Sequence, residues 1–455
     1  MVFSSLSFLV FFLPAFLLAY FIVPKKHLNV RNFVLLIFSL FFYAAGEPVW
    51  VVALLFSASK DCLIGLFIER YKGKWQAKGL LVLSLCLSIG VLVLFKYMEF
   101  FLGLAGIHVT LALGLPIGIS FYTFQTMSYI IDLYRGRVKA QRNPIAFLMY
   151  VAMFPQLVAG PIIRYADVEH MLDQRETSMS SISKGISRFA MGLGKKVIFA
   201  NHAGLIASEL LGSPHSSTLA VWLGAVMFMF QIYFDFSSYS DMAIGLGKII
   251  GFDFKENFNY PYIAKTVTDF WRRWHISLGA FFRDYLYIPL GGNRKNALFN
   301  IMFVWMITGL WHGASINFVI WGLYFGVALL IEKYLLRNVL EKIPAFFGHA
   351  YCMLIVLYGW VLFYFTDLSE MAVATSRFFG FGGTFADYRA VELLRSNIWI
   401  LPVFAIFSTR APIRILNKVN KRLPITEPVL NFALLCLSFI FLIGQTFTPF
   451  IYFKF

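Results

Sequence analysis

The chain has 455 residues, of which 59% are hydrophobic, 18% are aromatic and 14% are charged. A water-soluble domain of this length carries far more charge, so the composition predicts a polytopic membrane protein. The apolar residues come in long runs rather than in alternation, which excludes a transmembrane β-barrel. The net charge of +16 does not indicate nucleic acid, because the basic residues lie in short loops between apolar runs.

Apolar spans fill the first third of the chain. Nothing basic precedes the first span and no small-residue cleavage site follows it, so we interpret it as a retained helix rather than a signal peptide. Lys and Arg favour the cytoplasmic side in short loops, so we predict that the basic loops at 25–31, 70–78, 135–142 and 410–422 are cytoplasmic. The predicted spans in this part are Phe3–Val23, Phe33–Ala45, Trp50–Ile68, Leu80–Leu104 and Leu115–Leu133.

The middle of the chain is less regular. Prolines interrupt Ala146–Ile163, and because irregular backbone is not viable against lipid, this segment is expected to lie against protein. Residues 164–196 are polar and Ser-rich, which indicates a surface segment with amphipathic helices. Val197–Leu211 and Leu219–Phe236 are apolar again. With no internal repeat and no soluble segment, we predict one membrane domain over 1–455.

Residues 252–295 mix aromatic side chains with mostly basic charges. The segment is too polar to span a membrane and too aromatic to be a free loop, so it predicts interfacial helices. Its basic excess suits an anionic ligand at the inner face, such as a phosphorylated cofactor. Further spans are predicted at Phe346–Phe365, Ile398–Phe407 and Val429–Ile443.

The apolar stretch Ala297–Ile331 is longer than the ~20 residues that one crossing needs. His312 is its one residue that titrates near neutral pH, and an imidazole is costly in hydrocarbon. We therefore expect His312 to face a protein interior or a water-filled cavity. Gly309 and Gly313 flank it and allow helices to approach closely.

Cysteines give no sign of a metal site or a disulfide framework. They lie in apolar contexts without C-x-x-C spacing, so they are interpreted as small hydrophobic residues, and neither a metal nor a bound cofactor is expected. The four are Cys62, Cys86, Cys352 and Cys436.

Several blocks of the sequence resemble the membrane-bound O-acyltransferase family, and most closely its bacterial branch of alginate O-acetyltransferase-like membrane subunits. The blocks are LPIGISFYTFQTMSYIIDLYRG, MFPQLVAGPIIR, QIYFDFSSYSDMAIGLG, DFWRRWHISL, FRDYLYIPLGGNRK, TGLWHGA and PFIYFKF. The resemblance implies an all-α ring of roughly eleven spans of about 20 residues around a central tunnel, with interfacial and re-entrant helices. It also implies acyl transfer from a cytoplasmic thioester, with acetyl-CoA as the expected donor, toward an exported or cell-wall polysaccharide.

By motif match, His312 corresponds to the family's catalytic histidine and His275 to its second histidine. A hydroxyl is a weak nucleophile at neutral pH and needs a base, which histidine supplies well. Trp311 and Asn317 are candidate donors to a developing oxyanion. Further candidates for contacts with the donor are Asp269, Trp271, Arg272 and Arg273, although interfacial charges often only pair or snorkel.

The tail after the last span carries a further candidate nucleophile, the Tyr452 hydroxyl. An aromatic anchor at the membrane interface is one interpretation. The other is a covalent acyl relay, because acetyl-CoA cannot leave the cytoplasm while the acceptor lies outside; the similarity of this ending to tyrosine-bearing tails of related acyl-export systems favours it.

Two other functions are compatible with these residues. D-alanyl transfer to teichoic acid from a carrier protein is a sister activity. A transporter or flippase with a proton relay through Asp235 belongs to another class, but the chain lacks the matching halves that many transporters show. The expected partners are membrane lipid, a polysaccharide acceptor and an exported accessory O-acetyltransferase, with no nucleic acid. The expected location is the bacterial cytoplasmic (inner) membrane.

Overall fold

The computed structural model describes residues 2–107, 109, 114–157, 160–213, 216–444 and 450. Across these ranges the chain is helical and contains no strand. Six helices in them are long and apolar enough to cross a membrane, or seven if the pair Tyr388–Asn397 and Ile400–Phe407, bent by 62°, is one span. The six are Val51–Arg70, Trp75–Leu104, Thr218–Ile250, Ile316–Leu340, Ala345–Tyr364 and Thr426–Gly444.

These helices confirm the prediction of an all-α polytopic membrane protein. Three shorter apolar helices add to the set: Ser7–Ile22, Leu28–Ala44 and Ala297–His312. The count of eleven spans and the ring stay predictions. The other helices of eight or more residues are Ile119–Tyr134, Pro144–Ala152, Tyr165–Asp173, Met179–Gly194, Asn201–Leu211, Leu368–Phe378, Tyr388–Asn397, Ile400–Phe407 and Ala411–Arg422.

The chain divides into two compact units. One contains the residues up to Ala190 together with Tyr239–Glu256, and the other contains Met191–Ser238, Asn257–Phe441 and Phe450. The single domain over 1–455 stays a prediction.

In the first unit the basic loops meet at one end. The Ala140 N–H donates to the Glu69 carboxylate (3.0 Å), which joins the loop 135–142 to the start of the loop 70–78. Two further bonds join the loops to the segment 165–177. Lys25 Nζ donates to the Thr177 carbonyl (2.8 Å), and the Lys139 N–H donates to the Glu169 carboxylate (3.0 Å). The three loops of this unit therefore share one end, as the cytoplasmic assignment requires.

The proline-interrupted segment of the first unit is buried, as predicted. Most side chains from Ala146 to Ala152 and all four of Phe154–Leu157 are buried. The Phe154 ring packs edge-on against Phe16 (5.0 Å between ring centroids), and its N–H donates to Ser39 Oγ (3.1 Å). Protein surroundings therefore satisfy a backbone break that lipid could not.

The apolar run Leu219–Phe236 ends before its helix does. The helix Thr218–Ile250 continues for four more turns through a run of serines and an aspartate. Short hydroxyls bond back onto their own helix, as Ser238 Oγ does to the Asp235 carbonyl (2.6 Å), so these polar residues are buried without ending the helix.

In the second unit the stretch Ala297–Ile331 forms a hairpin of two helices, Ala297–His312 and Ile316–Ile331. A Cβ on Gly309 would overlap the Phe318 carbonyl oxygen, so only glycine allows the two backbones to approach this closely. The first helix ends at His312, where the chain turns. The hairpin packs against Ala345–Tyr364.

Candidate functional site

A cavity of about 990 Å³ lies within the second unit. The aromatic and aliphatic part of its wall comes from the short helices Val267–Arg273 and Ile276–Phe282 and from both hairpin helices. Its polar lining consists of Thr266, Thr268, Arg272, His275, Arg283, Tyr287, Asn293, Thr308, Glu332, Lys333, Arg337 and Glu341. An apolar wall with a few convergent polar groups is typical of a small-molecule site.

His275 joins the two short helices and lies in the cavity wall. Its backbone is left-handed (φ 45°, ψ 53°), a conformation that non-glycine residues adopt rarely and at a cost. The Asn257 carbonyl stabilises this turn by accepting from the Ile276 N–H (2.9 Å). Strain held by its surroundings is common at functional sites.

The His275 ring is buried, with 2% of the residue exposed. Its Nδ1 lies 3.1 Å from Asn257 Oδ1. Among the described residues Nε2 has no hydrogen-bond partner. Burial lowers the pKa of His275 well below its usual range, because desolvation disfavours the charged form. The imidazole is therefore neutral, and one of its ring nitrogens holds a lone pair.

His312 is buried at the hairpin turn, as expected for an interior position. Its ring meets Trp321 edge-on (5.0 Å between centroids) and Phe363 likewise (5.4 Å). Trp311 contacts both histidines, with centroids 5.9 Å from His275 and 4.9 Å from His312. The fold thus places the two histidines of the sequence analysis on either side of one tryptophan, and of the two it is His275 that lines the cavity.

Basic side chains outnumber acidic ones on the cavity wall. Arg272 is exposed and has no ion-pair partner within the described ranges. The other three cations are engaged. Arg283 pairs with Asp284 (2.7 Å) and Arg337 with Glu341 (3.3 Å), and Lys333 donates to Asn293 (2.6 Å). Arg272 is consequently the cation most available to an anionic ligand.

The remaining sequence candidates fall into two groups. Asp269 and Arg273 pair with each other at 2.9 Å, one turn apart on their helix, and do not line the cavity. Trp271 does line it and packs on Trp305 (4.7 Å between centroids). Asn317 is fully buried, 3.5 Å from the Leu362 carbonyl, and is likewise absent from the cavity lining. Tyr452 lies outside the described residues.

Sequence reasoning missed Glu332, the residue that fixes the position of the helix Val267–Arg273. Its buried carboxylate accepts hydrogen bonds from the Val267 N–H (2.5 Å), the Thr268 N–H (2.8 Å) and Thr268 Oγ1 (2.6 Å). A helix N-terminus has unpaired N–H groups and favours negative charge, so the contact stabilises both partners. In sequence, Glu332 is only the first charge after an apolar run, which usually marks a membrane boundary.

The sequence profile described as "MBOAT, membrane-bound O-acyltransferase family" matches residues 9–375. The chain belongs to the membrane-bound O-acyltransferase family. It is therefore an acyltransferase and a multi-pass membrane protein, and the resemblance carried by the sequence blocks is confirmed.

Curated relatives of this O-acyltransferase carry three kinds of name. It is 37% identical to the "Probable alginate O-acetylase AlgI" of Pseudomonas putida over 100% of both chains. It is 34% identical to the peptidoglycan O-acetyltransferase of Helicobacter pylori, over 73% of this chain and 70% of the relative. It is 31% identical to the teichoic acid D-alanyltransferase of Bacillus subtilis, over 47% of this chain and 58% of the relative.

Proposed function

We propose that this protein transfers an acetyl group from a cytoplasmic thioester to a hydroxyl, for the O-acetylation of an exported or cell-wall polysaccharide at the bacterial cytoplasmic membrane. The names of the relatives with the broadest coverage support the acetyl group and the polymeric acceptor. The observation that carries the chemistry is a neutral His275 in the wall of a basic cavity, with a buried Nε2 that has no hydrogen-bond partner among the described residues.

The cavity has the properties that a phosphorylated thioester needs. Acetyl-CoA combines a long neutral pantetheine arm with a phosphorylated end. Tryptophan and aliphatic side chains suit the arm, and Arg272 offers a guanidinium that binds phosphate in a bidentate manner. A volume of about 990 Å³ is at the upper end of the range of small-molecule pockets, which is room for the reactive end of the donor.

His275 and His312 supply the proton transfers in this proposal. A hydroxyl oxygen attacks the thioester carbonyl while a histidine takes its proton, and the same proton then passes to the departing thiolate sulfur. The sequence motif assigns the base to His312, and the cavity geometry adds His275, with Trp311 in contact with both rings. The Trp311 indole N–H is the proposed oxyanion donor. Asn317 does not keep this role, because its amide faces the Leu362 carbonyl and does not line the cavity.

The tail supplies the proposed relay across the membrane. The Tyr452 phenol attacks the acetyl thioester, the C–S bond breaks as the C–O bond forms, and free thiol leaves on the cytoplasmic side. An exported accessory O-acetyltransferase would then move the acetyl group from the tyrosyl ester to the polysaccharide. Phe450, two residues before Tyr452, is buried in the second unit beside Lys196, whose Nζ lies 4.5 Å from its ring centroid. That contact anchors the start of the tail within the unit that holds both histidines.

Two alternatives are weighed against this proposal. D-alanyl transfer uses the same chemistry and is supported by the similarity to the B. subtilis relative. A proton-relaying transporter is less favoured, because Asp235 is buried in an ion pair with Lys196 (2.6 Å) rather than aligned with other acids.

A donor assay tests the proposal. Purified protein in lipid nanodiscs is given acetyl-CoA or a D-alanyl-charged carrier protein, and thiol release is measured. We expect release from acetyl-CoA, and for Arg272→Gln a KM raised about 10- to 150-fold, since a charge-assisted hydrogen bond contributes roughly 1.5–3 kcal/mol. Release from the carrier alone would replace acetylation by D-alanylation, and release from neither would refute the transfer.

A further inference from the structure

Asn257 holds His275 through its side-chain oxygen. That oxygen lies 3.1 Å from His275 Nδ1, 3.2 Å from the Ser277 N–H and 2.8 Å from Ser277 Oγ. Asn257 is fully buried and precedes His275 by 18 residues, so the contact joins two separate parts of the chain. No family motif quoted above contains it.

The Ser277 N–H decides which atoms are donors here. A backbone N–H can only donate, so the Asn257 atom that faces it is the amide oxygen and not the amide nitrogen. The same oxygen faces His275 Nδ1, and an amide oxygen only accepts. Nδ1 must therefore carry the proton. In a neutral imidazole the other nitrogen, Nε2, then holds the lone pair.

We propose that Asn257 is a positioning residue that keeps His275 in the Nδ1–H tautomer, so that Nε2 stays an acceptor for the proton of the attacking hydroxyl. Nε2 is the one ring nitrogen of His275 left without a partner in the described part of the chain. A buried polar atom of this kind needs an explanation, and a ligand hydroxyl that binds there during turnover provides it. The inference rests on the proposed role of His275 in acyl transfer.

The left-handed turn at His275 serves the same arrangement. The Asn257 carbonyl accepts from the Ile276 N–H, and the Asn257 side-chain oxygen accepts from His275 and Ser277. One asparagine therefore fixes the backbone turn and the ring orientation together. Phe236 meets the other side of the ring edge-on at 4.7 Å between centroids. Rotation of the ring about the Cβ–Cγ bond, which would turn Nδ1 away from Asn257, is thus opposed by packing and by a hydrogen bond.

The first test reads the tautomer directly. The protein is labelled with ¹⁵N-histidine, and the His275 signals are identified among those of the eight histidines by their loss in His275→Phe. We expect a protonated Nδ1 and a bare Nε2 in the unsubstituted protein. A protonated Nε2 would overturn the inference, whatever the activity of any variant.

The second test uses kinetics with a matched control. Asn257→Leu removes the acceptor, and we expect kcat to fall about 10²–10⁴-fold with KM unchanged, the range for loss or mis-setting of a proton acceptor. Asn257→Asp keeps an accepting oxygen and should restore kcat to within about tenfold of the unsubstituted enzyme. Asn259→Leu is the control, because the Asn259 oxygen accepts from Arg410 (2.6 Å) and does not reach the histidine; its kcat should stay near that of the unsubstituted enzyme.

The outcomes separate this inference from the proposed function. If Asn257→Leu keeps the unsubstituted kcat while His275→Ala loses activity, Asn257 does not position the base and the inference fails. If His275→Ala keeps full activity, the proposed role of His275 fails, and the inference falls with it even when the spectrum shows a protonated Nδ1. If Asn257→Leu does not fold, the spectrum of the unsubstituted protein and the rate of Asn257→Asp still decide.

Discussion

Removal of the Glu332 carboxylate should loosen the helix that carries Trp271 and Arg272 and leads into His275. The carboxylate accepts from two backbone N–H groups and one hydroxyl, at 2.5, 2.8 and 2.6 Å, with 3% of the residue exposed. Each buried N–H left without an acceptor costs about 1–3 kcal/mol, so Glu332→Ala should destabilise the protein by about 2–6 kcal/mol. Glu332→Gln keeps one accepting oxygen and should cost about half as much.

The assay follows the unfolding midpoint of the purified protein in detergent, together with its thiol-release rate. We expect the unfolding midpoint and kcat to fall in both variants, and to fall further in Glu332→Ala than in Glu332→Gln, because the short helix fixes the cavity wall. Glu341→Gln is the control: Glu341 also lines the cavity, is exposed and pairs with Arg337 at 3.3 Å, so the unfolding midpoint of this variant should not change. A Glu332→Ala midpoint equal to that of Glu341→Gln would refute the argument that the carboxylate fixes the helix.

Three further predictions concern the hairpin, the tail and the topology. Gly309→Ala should lower stability by about 1–3 kcal/mol, since its Cβ would overlap the facing helix, whereas Gly90→Ala, with nothing within 4 Å of the added Cβ, should be tolerated in the same thermal assay. Tyr452→Phe keeps the ring and should abolish transfer to the polysaccharide in cells; transfer at the normal rate would make this residue only an anchor. Cysteines introduced at Lys74 and Lys139 should resist an impermeant thiol reagent added to intact cells, and labelling of both would reverse the proposed orientation.

The features that the sequence predicted are those with a local signal. Long apolar runs gave the spans, because membrane helices must be apolar along one continuous stretch. The flanking glycines predicted close packing around His312, and Gly309 indeed lies against the facing backbone of the hairpin. The prolines near Phe154 predicted a break that only protein could surround.

What the sequence did not predict depends on contacts between distant residues. No residue near Glu332 in the sequence identifies it as the partner of Val267, which lies 65 residues earlier. Asn257 stands in a run of charged and aromatic residues without a capping or metal pattern. The continuation of the long helix was missed because Ser238 bonds back to its own helix, which hydropathy along the chain does not reveal. Polar side chains that are paired through the fold have no periodic signature.

The most direct test of the central claim compares His275→Ala, His312→Ala and the double variant in one acetyl-CoA thiol-release assay in nanodiscs. If the two rings serve one transfer step, each single variant should lose at least about 10²-fold in kcat, and the double variant should be little worse than the poorer single one. Folding is checked by the unfolding midpoint. The small space that each histidine-to-alanine substitution leaves should lower the midpoint without abolishing the folded state. Thiol release near the unsubstituted rate in a folded double variant would contradict the account.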